Sequence, residues 1–172
     1  MMAGEQVAIR SADEIAMARR AGALAAEVLD MIAEHVKPGV TTEELDQLCH
    51  DHIVNVQQAI PANIGYHGYE KTICASVNHV ICHGIPSAKK LKNGDIVNID
   101  VALNKDGWFG DTSRMYFVGQ PSTLAKRLVR TTYEAMRAGI LAVRPGATLG
   151  DIGHAIQSVA HRDGFSVVQE YC

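Results

Sequence analysis

Asp100 and Asp111 are the residues whose type and spacing point most directly to chemistry. They lie on either side of Asn104-Lys105-Asp106-Gly107, a segment with the composition of a tight turn. A two-residue turn at Lys105-Asp106 sets the aspartates directly opposite each other. A turn at Asp106-Gly107 pairs Asp111 with Ala102 and leaves Asp100 as its diagonal neighbour. Both registers put the carboxylates on one face, because strand side chains alternate with period two. A bulge would break that parity. Two carboxylates this close repel each other and resist burial. A hard divalent cation relieves both problems, and a bridging carboxylate can hold two ions about 3.5–4 Å apart. Two plainer readings compete: a solvated hairpin edge, and a carboxylate paired with Arg114. Two aspartates are also too few for a complete dinuclear site, so further ligands are expected elsewhere.

His83 stands in Cys82-His83-Gly84-Ile85-Pro86, at the end of an apolar run and before a sharp turn. An imidazole there can bind a metal, shuttle a proton or hydrogen-bond a substrate. A structural role beside the turn is the plainer alternative. His79 precedes it in a segment without a helical pattern, and no glutamate follows His79, so the zinc motif H-E-x-x-H is absent. Tyr66, His67 and Tyr69 can line a pocket or pack as a solvated turn on a sheet. Cys74 and Cys82 are nucleophile candidates in principle, although a buried thiol is normally inert. There is no dinucleotide-binding or phosphate-loop pattern.

The elements that must position these residues are partly readable. Residues 11–35 carry a helical pattern, with Ser11 and Glu14 as a capping box and Ile15, Ala18, Leu24, Val28, Met31 and Ile32 along an apolar stripe. Pro38 ends it by disfavouring a helical Lys37. Thr41 and Glu44 form a second capping box ahead of Leu45, Leu48 and Ile53. Between 59 and 87, prolines and glycines cut the chain into short apolar pieces, and 72–77 and 80–82 read as short strands. Strands are expected at 95–103 and 108–118, and helices at about 122–143 and 149–162. Residues 165–172 have strand character. The run from Lys37 to Leu45 is similar to the run from Arg144 to Ile152, 107 residues further on. A common helix linker and an internal duplication both account for this. Under duplication, residues 11–118 are a first pseudo-repeat and 122–172 the start of a second.

Composition narrows the class. The chain has 172 residues, 47% of them hydrophobic, and a net charge of -3, which is enough for one domain with a real core. No half is strongly basic, so extended contact with nucleic-acid phosphates is not indicated. The first residues lack the apolar core of a signal peptide, and no run approaches the roughly 18 apolar residues of a membrane span. Cys49, Cys74, Cys82 and Cys172 fit neither a CxxC pair nor a disulfide framework. Reduced thiols in a cytoplasmic protein are the expectation.

Five blocks, in this order and spacing, resemble the bacterial-type (type I) methionine aminopeptidases: Gly65-Tyr66-His67-Gly68-Tyr69, Ser76-Val77-Asn78, Cys82-His83-Gly84-Ile85-Pro86, Asn93 to Val101, and Gly107 to Ser113. The resemblance runs over essentially the whole chain. It implies an α+β pita-bread fold, two pseudo-symmetric halves around a curved antiparallel sheet, of which this chain would hold the N-terminal half and the first helices of the second. It implies removal of the initiator methionine from nascent polypeptides by metal-assisted hydrolysis. Two divalent ions (Co, Mn, Fe or Zn) would sit on two aspartates, a histidine and two glutamates. By matching position, Asp100 and Asp111 correspond to the aspartate ligands, with Asp111 bridging. His83 corresponds to a histidine that hydrogen-bonds the substrate, and Tyr66, Tyr69 and Cys74 to walls of the methionine side-chain pocket. Asn78 and Val80 match residues at a monovalent-cation site. The implied partners are the N-terminal methionine of nascent chains and the ribosome surface, with no sequence-specific nucleic acid and no membrane. The full-length protein would be a cytoplasmic monomer.

The family continues past its Tyr-Cys pair with Gly-His-Gly-Ile-Gly, whose histidine is a metal ligand, whereas Tyr171-Cys172 is the last pair here. Residues 1–172 are therefore expected to form a single incomplete catalytic domain, lacking the third ligand and inactive alone. Asn63 stands where several bacterial members have a cysteine, which alters the pocket. One alternative is a noncatalytic, pita-bread-derived binding module, against which both aspartates count. Another is a different metallopeptidase of the same fold, such as a proline-specific one, against which the Tyr66/Tyr69 block counts.

Overall fold

The computed structural model describes residues 7–169. The chain divides into two compact units, one running to Gln120 and the other starting at Pro121.

In the first unit, helix α1 (Ala12–Ile32) begins at Ser11, whose hydroxyl and backbone exchange hydrogen bonds with Glu14. This reciprocal bonding satisfies amide groups that a helix start otherwise leaves unpaired. Ala21, Ala25, Val28, Leu29 and Ile32 are buried along one side. Helix α2 (Thr42–Asp51) opens with the same device at Thr41 and Glu44 and continues as a wider π-type turn over His52–Val56. The buried Cys49 thiol on α2 has its pKa pushed up to about 12 by desolvation and by Asp46, so it stays neutral as a packing group.

Four strands form an antiparallel sheet: β1 (Ile60–Pro61), β2 (Ile73–Val77), β3 (Ile96–Lys105) and β4 (Trp108–Phe117). β4 pairs with β3 along its whole length, while β2 and the short β1 pair with successive stretches of β3 along its other edge. Lys105 pairs with Trp108, so the turn is Asp106-Gly107, and both turn residues have positive φ (54° and 87°). Two left-handed residues in succession match the right-handed twist of the flanking strands, which is why Asp-Gly suits this position. Val97, Ile99, Val101 and Leu103 are fully buried on the face toward α1. Tyr116 reinforces this layer by donating its hydroxyl to the Leu29 carbonyl at 2.6 Å. Arg114 pairs with Asp30 of α1 at 2.6 Å, so it does not partner the aspartates of the hairpin. Gly110 meets α1 backbone to backbone, and a Cβ there would overlap the Ala21 carbonyl.

The second unit is a helix pair, α3 (Thr123–Ala142) and α4 (Leu149–Arg162). Gly139 of α3 lies against Ile152 and Ile156 of α4. Thr148 and Asp151 form a further capping box. Asp163, just after α4, accepts from Thr131 Oγ1 at 2.8 Å and from Arg162 Nε at 2.8 Å. Leu124, Leu128, Met136 and Ile140 remain exposed along α3.

Three expectations change. Residues 80–82 are not a strand, because Asn78 (φ 56°) and His83 (φ 53°) bend the backbone at both ends of that run. The long first helix stops at Ile32 and tightens to a 3₁₀ turn over Ala33–His35. Residues 165–169 carry no strand, and the rest of that expected strand, 170–172 with Tyr171-Cys172, lies outside the described residues. No helix among the described residues is long and apolar enough to cross a membrane.

Gly110→Ala is expected to force α1 away from β4 and to destabilise the fold by about 1–3 kcal/mol, measured by urea unfolding. In the second unit, hydrogen bonds from Arg162 and then Thr131 hold the Asp163 pKa down to about 2, against an ordinary 3.8. A depressed carboxylate pKa contributes stability above the unfolded value, and this is lost as pH falls through the folded value. Asp163→Asn should therefore lower the thermal midpoint at pH 6, and the gap to the parent should close between pH 4 and pH 2. Because the Asp163 side chain is still partly open to solvent, added salt should also narrow the gap.

Candidate active site

The face of the sheet turned away from α1 carries the candidate site. On it, Ala102 pairs with Asp111, Asp100 with Ser113, and Cys74 of β2 with Asp100. Asp111 is therefore the diagonal neighbour of Asp100, and the two carboxylates share a face. Both border a cavity of about 750 Å³ that Tyr66, His67, Tyr69, Cys74 and His83 also line. Asn63, Gly68, Ile85 and Ala102 complete its wall.

The electrostatics follow from that geometry. Burial raises the pKa of Asp100, and the negative charge of Asp111 raises it further, while His83 works in the opposite direction. The cavity thus disfavours negative charge at Asp100 until a cation is present to balance it. The two carboxylates are hard oxygen donors suited to a divalent metal. Among the described residues, no group of three or more His, Cys, Asp or Glu side chains is placed to hold a metal ion. The donors present fit part of a metal site, and a full coordination sphere needs more.

His83 is set by its neighbours. Gly84 is tied to β2 on both sides: its carbonyl accepts from Ala75 N at 2.8 Å, and its N–H donates to Ser76 Oγ at 3.1 Å. A Cβ at Gly84 would overlap the Ala75 backbone, so only glycine allows this approach. His83, next to that anchor, takes a left-handed backbone (φ 53°), which is uncommon for a non-glycine residue.

The remaining walls are built from the same strand. Tyr69 donates its hydroxyl to the Ile73 carbonyl at 2.8 Å, and burial raises its pKa strongly. Burial also raises the Cys74 thiol, against the lowering effect of Tyr69, which disfavours a nucleophilic thiolate. Tyr66 is 70% exposed and meets His67 edge-on, with centroids 4.4 Å apart. Asn63 Nδ2 donates to the Thr72 carbonyl at 2.9 Å. Asn78 and Val80 are not in the cavity wall. Asn78 bonds Asp95 Oδ1 and Ile96 N in the turn after β2, and Val80 N donates to the Val77 carbonyl at 3.2 Å. Sequence reasoning missed Ala102, although strand parity with Asp100 signals it. It also missed Asp46, a buried α2 carboxylate bonded to Thr72 N and Ile73 N, for which no local signal exists.

Residues 16–172 match the metallopeptidase family M24. The chain is 60% identical over 153 residues to the methionine aminopeptidase of Rickettsia prowazekii (strain Madrid E), covering 89% of this chain and 59% of that relative. It is 54% identical over 167 residues to the methionine aminopeptidase of Escherichia coli (strain K12), covering 96% and 63%. The crystal structure of the R. prowazekii protein aligns with a TM-score of 0.94 at 56% identity, covering 96% of this chain and 66% of the other. The chain belongs to metallopeptidase family M24, and its fold is the pita-bread fold of that family. It spans about three fifths of the length of the relatives it matches by sequence.

In protein stripped of metal, Asp100→Asn should raise the thermal midpoint at pH 7, because it removes a charge that the folded state disfavours. The same substitution should weaken divalent-ion binding roughly tenfold or more in a calorimetric titration. A variant that lost stability and kept its metal affinity would contradict the assignment of Asp100.

Proposed function

We propose that this protein removes the N-terminal methionine from nascent polypeptides by metal-assisted hydrolysis. The observation that carries this reading is the pair Asp100 and Asp111 on one sheet face, at the edge of a cavity walled by Tyr66, Tyr69 and Cys74. Asp100 and Asp111 would hold divalent ions of the Co, Mn, Fe or Zn class. Such ions, when bound, supply a nucleophilic water at neutral pH and polarise the scissile carbonyl. Tyr66, Tyr69 and Cys74 receive the methionine side chain and keep water from it. His83 hydrogen-bonds the substrate and can hold or pass a proton at the reacting peptide. Asn78 and Val80 are assigned to a monovalent cation that would brace the turn after β2.

The same reading takes residues 11–118 as one pseudo-repeat and 122–172 as the start of another. Its support is the matching Pro-Gly-x-Thr runs ending at Thr41 and Thr148, each of which caps a helix. It places the protein in the cytoplasm as a monomer acting on nascent chains near the ribosome surface.

The test is methionine release from Met-Ala-Ser by the protein at its native length, loaded in turn with Co, Mn, Fe and Zn. Release is expected, with Leu-Ala-Ser cleaved far more slowly. A polypeptide of residues 1–172 alone should not exceed the metal-only background. His83→Ala should cut kcat/KM about 100-fold while retaining metal content. No release with any of the four metals would overturn the proposal.

A further inference from the structure

Asp46 is a buried carboxylate that the chemistry above does not use. It sits on α2, only 8% exposed, outside the cavity wall. One of its oxygens, Oδ1, accepts from both Thr72 N (2.8 Å) and Ile73 N (2.9 Å). Burial raises its pKa against the lowering effect of those two bonds, so the carboxylate is kept where it is costly. The carbonyls of the same two residues hold the cavity wall. Thr72 O accepts from Asn63, and Ile73 O accepts from the Tyr69 hydroxyl. The next residue, Cys74, enters β2 opposite Asp100. Three wall residues on separate stretches of chain are thus referenced to one dipeptide, and Asp46 fixes that dipeptide to α2. Asp100 and Asp111 are set relative to each other by the pairing of β3 with β4, in which Thr72 and Ile73 take no part.

We propose that Asp46 is a positioning residue for the side-chain pocket. Through Thr72-Ile73 it sets the placement of Asn63, Tyr69 and Cys74 relative to the carboxylates, and so governs selectivity for the first residue of the substrate without governing metal loading. This rests on the functional reading above. The role needs an acceptor oxygen at a fixed depth and does not need a negative charge.

The experiment compares Asp46→Ala, Asp46→Asn, Asp46→Glu and Thr42→Ala in the native-length, metal-loaded protein. Thr42 tethers α2 elsewhere, exchanging hydrogen bonds with the Ser87 backbone, and serves as a control for loosening α2. Asp46→Ala should raise KM for Met-Ala-Ser about tenfold, with kcat changed less than about threefold, and should shrink the preference over Leu-Ala-Ser about tenfold. Its metal content should match the parent. Asp46→Asn, whose amide oxygen can still accept both bonds, should stay within about threefold of the parent in KM and selectivity. Thr42→Ala should lose stability and keep selectivity. If Asp46→Ala does not accumulate, Asp46→Glu decides: the added methylene displaces Thr72-Ile73, and selectivity should fall although the carboxylate remains. Unchanged selectivity in Asp46→Ala or Asp46→Glu, or an Asp46→Asn as impaired as Asp46→Ala, overturns the proposal. A parent inactive on every methionyl peptide is instead a failure of the functional reading.

Discussion

Side-chain parity on the β3–β4 hairpin is the constraint on which the rest depends. Asp106 and Gly107 both take positive φ, and the turn that results fixes Lys105 against Trp108. Every pair along the two strands follows from that first one. A slip of one residue in β4 would turn Asp111 toward α1 and bring Thr112 to the cavity. Packing independently enforces the same choice, since Gly110 and Tyr116 of β4 must remain against α1. Turn chemistry and core burial agree on one register, and this agreement lets two repelling carboxylates sit side by side.

The layer behind the sheet stiffens what lies in front. Gly110 brings β4 into contact with the α1 backbone, with no side chain between them. The Tyr116 and Arg114 side chains bond to Leu29 and Asp30 further along the same helix. On the other edge of β3, β2 carries Cys74 beside Asp100, while Gly84 docks on β2 and fixes the loop bearing His83. Each cavity residue is thus traceable to a strand, or to a loop clamped onto one.

What the sequence made legible was whatever local chemistry decides. The capping boxes at Ser11 and Thr41 need only residues three apart. The common face of Asp100 and Asp111 was readable because it survives either candidate turn. Residues 80–82 misled because Val80 and Ile81 favour an extended chain, whereas the turn at Asn78 and the anchoring of Gly84 override that preference. The partner of Arg114 was hidden because Asp30 is distant in sequence and meets it only when α1 lies on the sheet. Asp46 was hidden for a similar reason: it looks like a polar position beside Leu45 on a helix, and its use emerges only when β2 arrives.

The inward hydrogen bond of Tyr69 changes what a visiting molecule meets. Its hydroxyl is engaged by the Ile73 carbonyl and lies 3.5 Å from that of Gly84. The phenol therefore offers the cavity its ring and little of its hydrogen-bonding capacity. A wall built from a residue usually counted as polar behaves toward a guest as a flat hydrocarbon surface. An unbranched, weakly polar side chain with a polarisable atom fits such a surface, whereas a guest needing a hydrogen-bond donor there would forfeit its hydration and receive nothing in exchange.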